Sequence, residues 1–391
     1  MAEKVGIIGV AQSDFSSEPV LSLNELIFST TREALADAGI GIDQVDGVVI
    51  SSNDQVDGRP ISIMVTSGSV GAYGKDLVDV PSSGEHALVL GCMRLLTGGF
   101  KTQLVATWSS LEADDLRTVQ NVTCEPFYQR QLGIHDQIAN ALQAGSYLAK
   151  NPDSLRAAAR LVVKNRGCGP KNPIAHLKEE VSEEEVLSSP YTAWPLHQLM
   201  CPPESQGVVA LVLTNQEKAK ELGKDKVAWI NGLGWASDSY WLGERDLSWL
   251  TSLEMAAMRA YDMAGIKRPL EEFDVAEIQE VTAYHELMAY EALKFCGPGE
   301  GHHLLMEGAT GLEGKLPVNP SGGALCANPY FATGMARVAE AALQILGKAG
   351  RHQIQGSELA IAQATSGFAG QSNTVFVLSS DPLRGAEEVK A

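Results

Sequence analysis

The chain of 391 residues is long enough to bury a large core and predicts two domains. Apolar residues make up 45% and charged residues 20%, as in ordinary globular proteins, and no run of about twenty apolar residues predicts a membrane span. The net charge of -18 disfavours a nucleic-acid-binding surface. Scattered cysteines without CxxC spacing predict neither a zinc site nor disulfides, and no secretory leader is predicted, which together favour a cytoplasmic location.

The predicted elements repeat along the chain. Ser22 caps a first helix, which stops at Gly39 before a strand at 48–50, and the same succession recurs at 252–278 with Ser252 leading the helix. A second pair consists of an apolar helix and a strand, starting at Gly84 in one copy and at Gly334 in the other. Two similar halves that mix strands and helices indicate an α/β architecture.

The predicted boundary between the halves divides the chain into 1–225 and 226–391. Residues from about 112 to 200 interrupt the first half and are richer in Asn, Pro and charge. We interpret this segment as an insertion.

Four segments carry a resemblance to a known family. They are KVGIIG at 4–9, CPPESQG at 201–207, VNPSGG at 318–323 and ATG at 332–334. In this order they resemble the thiolase family, in particular thiolases of the sterol-carrier-protein-x type and their lyase relatives. The resemblance implies an α/β thiolase fold with five αβαβα layers, an active site where two pseudo-equivalent helix N-termini meet, and an insertion that covers CoA.

The residues that a thiolase uses for catalysis are replaced in this chain. The position aligned with the nucleophilic cysteine is Pro81, the two family histidines align with Gln279 and Asn328, and no cysteine stands at 362–365. Because a thiolase needs a thiolate, a histidine that activates it and a second acid/base group, the sequence predicts different chemistry or none.

Three tyrosines and a histidine are the predicted catalytic residues. Tyr284 and His285 follow Gln279, Tyr330 follows Asn328, and Tyr240 falls where related aldolases line the substrate cavity. This arrangement resembles thiolase-like aldolases that shorten steroid side chains, which lack the nucleophilic cysteine and use tyrosines as acid/base groups. The resemblance implies that both Tyr284 and Tyr330 face one cavity, with Tyr330 as base and Tyr284 as acid.

The implied reaction is retro-aldol cleavage of a β-hydroxyacyl-CoA with a steroid or other bulky side chain to a ketone and a shorter acyl-CoA. The CoA thioester is the substrate, and no tightly bound cofactor or metal is expected. Backbone amides near Gly84 or in the segment Ser321, Gly322 and Gly323 are predicted to stabilise the oxyanion. The same Ser321, Gly322 and Gly323 are the predicted CoA-binding residues.

Two other functions stay open. One is a thiolase-type acyltransferase that cleaves a 3-oxoacyl-CoA with Cys326 as a relocated nucleophile and His285 as its base. The other is a non-catalytic thiolase-like subunit. The resemblance also implies a homodimeric core and a small zinc-ribbon/OB-fold partner protein, which must come in trans because this chain has no zinc-ribbon cysteines.

Overall fold

The computed structural model describes residues 4–18, 20–81, 83–110 and 116–384. The strands are β1 (Val5–Gln12), β2 (Gly47–Ser51), β3 (Asp76–Asp79), β4 (Thr102–Ser109), β5 (Tyr191–Ala193), β6 (Leu196–His197), β7 (Gly207–Asn215), β8 (Ala228–Ser237), β9 (Val275–Ile278), β10 (Leu359–Ser366) and β11 (Ser372–Ser379). The helices are α1 (Leu23–Ala38), α2 (Asp54–Asp57), α3 (Ser62–Thr66), α4 (Gly84–Leu96), α5 (Leu116–Thr123), α6 (Asp136–Lys150), α7 (Ser154–Arg166), α8 (Glu183–Ser188), α9 (Gln216–Glu221), α10 (Thr251–Ala264), α11 (Pro269–Glu272), α12 (Ala283–Ala292), α13 (Gly301–Met306) and α14 (Thr333–Leu346).

The main sheet shows the internal duplication directly. Its strand order is β3-β2-β4-β7-β1-β8-β11-β10-β9. Read outward from the centre, β1-β7-β4-β2 in the first half matches β8-β11-β10-β9 in the second. The halves join where β1 pairs with β8 over three residue pairs, from Val5 with Ile230 to Ile7 with Ala228. The predicted pair of repeated halves is therefore present in the sheet.

Five layers follow from how the helices pack. Helix α1 packs on the outer face of the first half, α10 packs on the outer face of the second, and α4 and α14 lie between the two halves. Close packing depends on glycines, because a Cβ at Gly9 would lie 2.4 Å from the Ala34 carbonyl oxygen of α1, and one at Gly234 would lie 2.0 Å from that of Ala256 in α10. The predicted αβαβα fold is confirmed.

The observed ends of α1 and α10 agree with the predicted ends, except for the predicted cap of α10. Ser22 caps α1 through a capping box with Glu25, and Gly39 and Gly265 end α1 and α10 in the left-handed conformation. The predicted cap at Ser252 is wrong, because α10 begins one residue earlier and Ser252 Oγ donates instead to the Gly370 carbonyl.

The insertion between β4 and β7 contains α5 to α8 and the hairpin of β5 and β6. Helices α6 and α7 pack against α12 of the second half. The insertion therefore brings side chains of its own to the junction of the two halves. Within the described residues, no helix has the length and apolarity that a bilayer crossing requires.

Candidate active site

A cavity of about 340 Å³ opens where the two halves and the insertion meet. Three helix N-terminal ends contribute to its wall, through Ser83 before α4, Asp136 at the start of α6 and Thr282 before α12. Because the N-terminus of a helix carries a partial positive charge, this arrangement favours a negatively charged group in the cavity. This cavity is the candidate active site.

Tyr330 lines the cavity and is held by two polar side chains of the insertion. Its hydroxyl donates a hydrogen bond to Asp136 Oδ2 at 3.0 Å and accepts one from Gln120 Nε2 at 3.2 Å. The same Gln120 amide donates to Asp136 Oδ2 at 2.8 Å, and the Asp136 backbone N–H donates to Gln120 Oε1 at 3.3 Å. All three side chains line the cavity.

Burial changes the acidity of this group. Desolvation raises the pKa of Asp136 to about 6, although the hydrogen bond from Tyr330 acts in the opposite direction. Desolvation also raises the pKa of Tyr330 well above its usual value, and the nearby charge of Asp136 adds to the rise. At neutral pH the pair therefore consists of a neutral phenol and a carboxylate.

The backbone of Tyr330 adopts an unusual conformation. Its φ of 29° lies outside the regions that bulky side chains normally occupy. Such outliers concentrate at functional sites, where the surrounding structure holds a side chain in a required position.

Tyr240 lines the same cavity from the loop after β8. Its hydroxyl oxygen accepts a hydrogen bond from the backbone N–H of Glu125 at 2.7 Å. This contact holds the phenol in the cavity wall and leaves its own hydroxyl hydrogen free to be donated. The structure thus brings Tyr330 and Tyr240 to one cavity.

Tyr284 and His285 do not line this cavity, so the predicted pairing of Tyr284 with Tyr330 across one cavity is wrong. Tyr284 is 0% exposed and belongs to the apolar core under α12, with no hydrogen-bond partner for its hydroxyl. His285 is also buried, neither ring nitrogen has a partner, and desolvation lowers its pKa to about 4. Successive helical residues point about 100° apart, so only the preceding Thr282 reaches the cavity from this end of α12.

The segment predicted to bind CoA is buried. The Ser321 hydroxyl donates to Glu277 Oε2 at 2.7 Å and accepts from Arg337 at 2.7 Å. Gly322 and Gly323 have φ values of 94° and 65°, and a Cβ at Gly323 would lie 2.1 Å from Glu280 Oε1. None of the three is among the residues that line the cavity.

Cysteines at the site lack the features of a nucleophile. Cys326 does not line the cavity, its thiol donates to the Asn165 carbonyl, and burial raises its pKa to about 12. Cys201 does line the cavity, but burial raises its pKa to about 11. A thiolate is the reactive form, so neither environment activates the sulfur.

The wall also holds a buried carboxyl group, Glu280. Asn165 and the Leu325 backbone N–H donate to its Oε1 at 3.0 and 2.9 Å, and Asn319 donates to Oε2 at 3.1 Å. Desolvation, followed by the neighbouring charge of Glu286, raises the pKa of Glu280 to about 8. At neutral pH this side chain is therefore protonated. Among the described residues, no cluster of His, Cys, Asp and Glu could hold a metal ion.

Asp136 and Gln120 were absent from the candidates derived from the sequence. Both lie in the insertion and reach Tyr330 across 194 and 210 residues of chain. The sequence offers little to single out Asp136, because an acidic residue in the first turn is an ordinary feature of helices.

Comparison with known proteins identifies the family. Residues 234–380 match the family described as thiolase C-terminal domain-like. Over 380 residues the chain is 26% identical to the acetyl-CoA acetyltransferase of Methanothermobacter thermautotrophicus, with 94% of this chain and 97% of that protein covered. It is also 27% identical over 383 residues to sterol carrier protein 2 of Oryctolagus cuniculus, and this match covers 92% of this chain and 69% of that protein. The chain is therefore similar to thiolase-superfamily proteins over nearly its whole length.

A solved structure, the Ltp2-ChsH2(DUF35) aldolase, superposes on this protein with a TM-score of 0.83, at 21% identity and over 99% of both chains. At that identity the likeness shows the shared fold. Together with the sterol carrier protein 2 relative, it confirms the predicted resemblance to the sterol-carrier-protein branch of the thiolases.

Proposed function

We propose that this protein is a CoA-thioester lyase that cleaves a β-hydroxyacyl-CoA by a retro-aldol reaction to a ketone and a shorter acyl-CoA. The observation that carries the proposal is that two phenols, Tyr330 and Tyr240, line one cavity whose only lining cysteine, among the described residues, has a raised pKa. One relative is an acetyl-CoA acetyltransferase, which supports CoA chemistry. The superposed structure is an aldolase, which supports carbon–carbon bond cleavage.

Retro-aldol cleavage needs groups that this cavity can supply. The substrate's own hydroxyl becomes the carbonyl of the ketone, so no covalent intermediate and no nucleophile are required. The reaction needs a base for that hydroxyl, stabilisation of the thioester enolate and an acid that protonates the enolate carbon. The N-terminal ends of α4, α6 and α12 favour the negative charge that develops on the enolate.

Tyr330 takes the role of base and Tyr240 the role of acid. Tyr330 is the phenol whose proton already lies on a hydrogen bond to a carboxylate, that of Asp136. Tyr240 accepts a backbone N–H, which leaves its own hydroxyl hydrogen free to be donated to the enolate carbon. The acid assigned from the sequence, Tyr284, gives way to Tyr240 because Tyr284 lies in the apolar core.

The test uses two tertiary β-hydroxyacyl-CoA probes of different size. 3-Hydroxy-3-methylbutanoyl-CoA should give acetone and acetyl-CoA, and (1-hydroxycyclopentyl)acetyl-CoA should give cyclopentanone and acetyl-CoA, in equimolar amounts by mass spectrometry. Tyr240→Phe should lower turnover by about a hundredfold to ten-thousandfold while CoA affinity, measured by calorimetry, is retained.

Two results would contradict the lyase. Thiolysis of a 3-oxoacyl-CoA that is lost in Cys326→Ala or Cys201→Ala would establish a thiolase. Failure to bind CoA or acyl-CoA, with co-purifying proteins present, would establish a non-catalytic subunit.

We also propose that the lyase is a cytoplasmic homodimer that binds a small zinc-ribbon/OB-fold protein. Support for a partner comes from the superposed aldolase, whose name contains two components, Ltp2 and ChsH2(DUF35).

A further inference from the structure

The contacts around Tyr330 include the carboxylate of Asp136, which has no role of its own in the proposed reaction. Asp136, at the first position of α6, accepts from both Tyr330 and Gln120 through one oxygen, Oδ2. Gln120 is buried and donates to both partners, so one amide fixes the carboxylate and the phenol relative to each other. All three side chains line the cavity.

We propose that Asp136 is the final proton acceptor of the cleavage step, that Tyr330 passes the proton to it, and that Gln120 positions the pair. This inference rests on the proposed lyase activity and adds a base that neither the sequence nor the comparisons assign.

The substrate hydroxyl gives its proton to Tyr330 Oη while the Tyr330 phenol gives its own proton to Asp136 Oδ2. The electron pair of the substrate O–H bond forms the ketone C=O bond, the Cα–Cβ bond breaks, and its electron pair forms the thioester enolate. Tyr240 donates its proton to the enolate carbon. The cycle closes when Asp136 releases a proton to water and Tyr240 takes one up through the open cavity.

Tyr330 alone would be a poor base. An ordinary phenol has a pKa of about 10, so few molecules carry a phenolate at neutral pH, and burial raises the pKa of Tyr330 further. With Asp136 as acceptor, the phenol never has to ionise before it reacts. The geometry permits this, because Oη accepts one N–H from Gln120 and keeps a second lone pair for the substrate hydroxyl.

The decisive variant is Asp136→Asn, which keeps the size of the side chain but removes its basicity. Its matched control is Asp153→Asn, because Asp153 is exposed, lies beside the N-terminus of the neighbouring helix α7 and does not line the cavity. With 3-hydroxy-3-methylbutanoyl-CoA, Asp136→Asn should lower kcat by about a hundredfold to ten-thousandfold with KM changed less than about threefold, and the control should keep the activity of the wild type.

A pH profile separates a proton acceptor from a structural residue. Because the pKa of Asp136 is raised to about 6, kcat/KM of the wild type should fall as the pH drops below about 6, when Asp136 becomes protonated. This acid limb should be missing from the residual activity of Asp136→Asn. Glu280 faces the same cavity but has a pKa of about 8 and titrates on the alkaline side. Arg117 and Glu204 also line the cavity, and burial raises the pKa of Cys124, which lies near Asp136, above its usual value.

The outcomes are distinct. An active wild type with an impaired Asp136→Asn that lacks the acid limb supports the relay. An active wild type with an equally active Asp136→Asn overturns the relay and leaves the lyase standing, as does an Asp136→Asn that is slow but keeps the acid limb. A wild type that cleaves neither probe overturns the lyase, and the relay falls with it.

Discussion

Tyr330 combines a strained backbone with a proposed role in catalysis. A backbone with a positive φ at a non-glycine residue typically costs about 1–3 kcal/mol, which the rest of the fold must offset. The strained turn, Tyr330–Ala332, directly precedes α14 and holds the phenol against Asp136 and Gln120. This backbone conformation of Tyr330 places its hydroxyl within hydrogen-bond distance of both side chains.

Removal of that hydroxyl is the first prediction. Tyr330→Phe should lower kcat by about a hundredfold to ten-thousandfold, since the proton path to Asp136 is cut, while KM for the CoA thioester stays close to that of the wild type. Steady-state kinetics with a tertiary β-hydroxyacyl-CoA measures this. Tyr73→Phe is the control, because Tyr73 is 87% exposed and does not line the cavity. An unimpaired Tyr330→Phe would contradict the assigned base.

Tyr284 gives the opposite expectation. Its buried hydroxyl has no partner, and an unsatisfied buried polar group costs about 1–3 kcal/mol. Tyr284→Phe should therefore raise the free energy of unfolding in guanidinium chloride by about 1 kcal/mol and leave kcat nearly unchanged. A hundredfold loss of turnover would instead restore Tyr284 as the acid expected from the sequence.

At this scale the sequence predicts part of the site. Tyr330 and Tyr240 could be chosen because they stand near motifs that resemble thiolases. Asp136 could not be chosen in this way, because its contact with Tyr330 depends on how the insertion packs against the second half. No local sequence pattern predicts that packing. Tyr284 was expected at the cavity but lies in the core, because successive residues of a helix point about 100° apart.

Among the elements, the central helix α4 contains an unusual residue in its first turn. Glu85 is 0% exposed, and neither carboxylate oxygen has a hydrogen-bond partner. It lies against the start of α14, since a Cβ at Gly334 would be 2.4 Å from Glu85 Oε2. Desolvation raises the pKa of Glu85 to about 8, so the side chain is neutral in the folded protein at neutral pH.

Linkage turns this raised pKa into a stability prediction. Between the unfolded pKa of about 4.5 and the folded pKa of about 8, the folded state binds more protons than the unfolded state, so stability falls as the pH rises through this range. Glu85→Gln removes this dependence. It should therefore stabilise the protein more at pH 8 than at pH 5, by up to several kcal/mol, because each tenfold change in a proton-binding equilibrium corresponds to about 1.4 kcal/mol.

Denaturant unfolding at several pH values measures the difference between the two proteins. Glu300→Gln is a control, because Glu300 is exposed. A constant difference between Glu85→Gln and the wild type from pH 5 to 8 would contradict the raised pKa.

The repeated elements were the most predictable part of the fold. Capping residues and terminal glycines are local signals, so the helices that begin near Ser22 and Gly84 and their partners in the second half could be located from the sequence. The pairing of β1 with β8, which joins the halves, involves only three residue pairs and has no such signal. Neither does the packing of α6 and α7 on α12.

In the whole molecule, the two edges of the main sheet differ. At one edge, β9 is fully buried and Ala276 bridges to Val318. At the other, β3 is partly exposed, which leaves a strand able to pair with another chain. Near β3 in the sequence, Ile61 and Met64 are 57% and 72% exposed, and Ile61 has a positive φ of 59°. Exposed apolar side chains and an open edge strand are each typical of an interface.

We therefore expect a homodimer that pairs through β3 and this apolar surface. Light scattering should give twice the chain mass of 41.7 kDa. The double variant Ile61→Lys and Met64→Lys should shift the equilibrium to monomers, because it places four like charges at the centre of a two-fold interface. Met263→Lys is the control, since Met263 is similarly apolar and 47% exposed but lies on α10 of the second half. A wild type that is monomeric and fully active, or a control that dissociates as readily as the double variant, would exclude this interface.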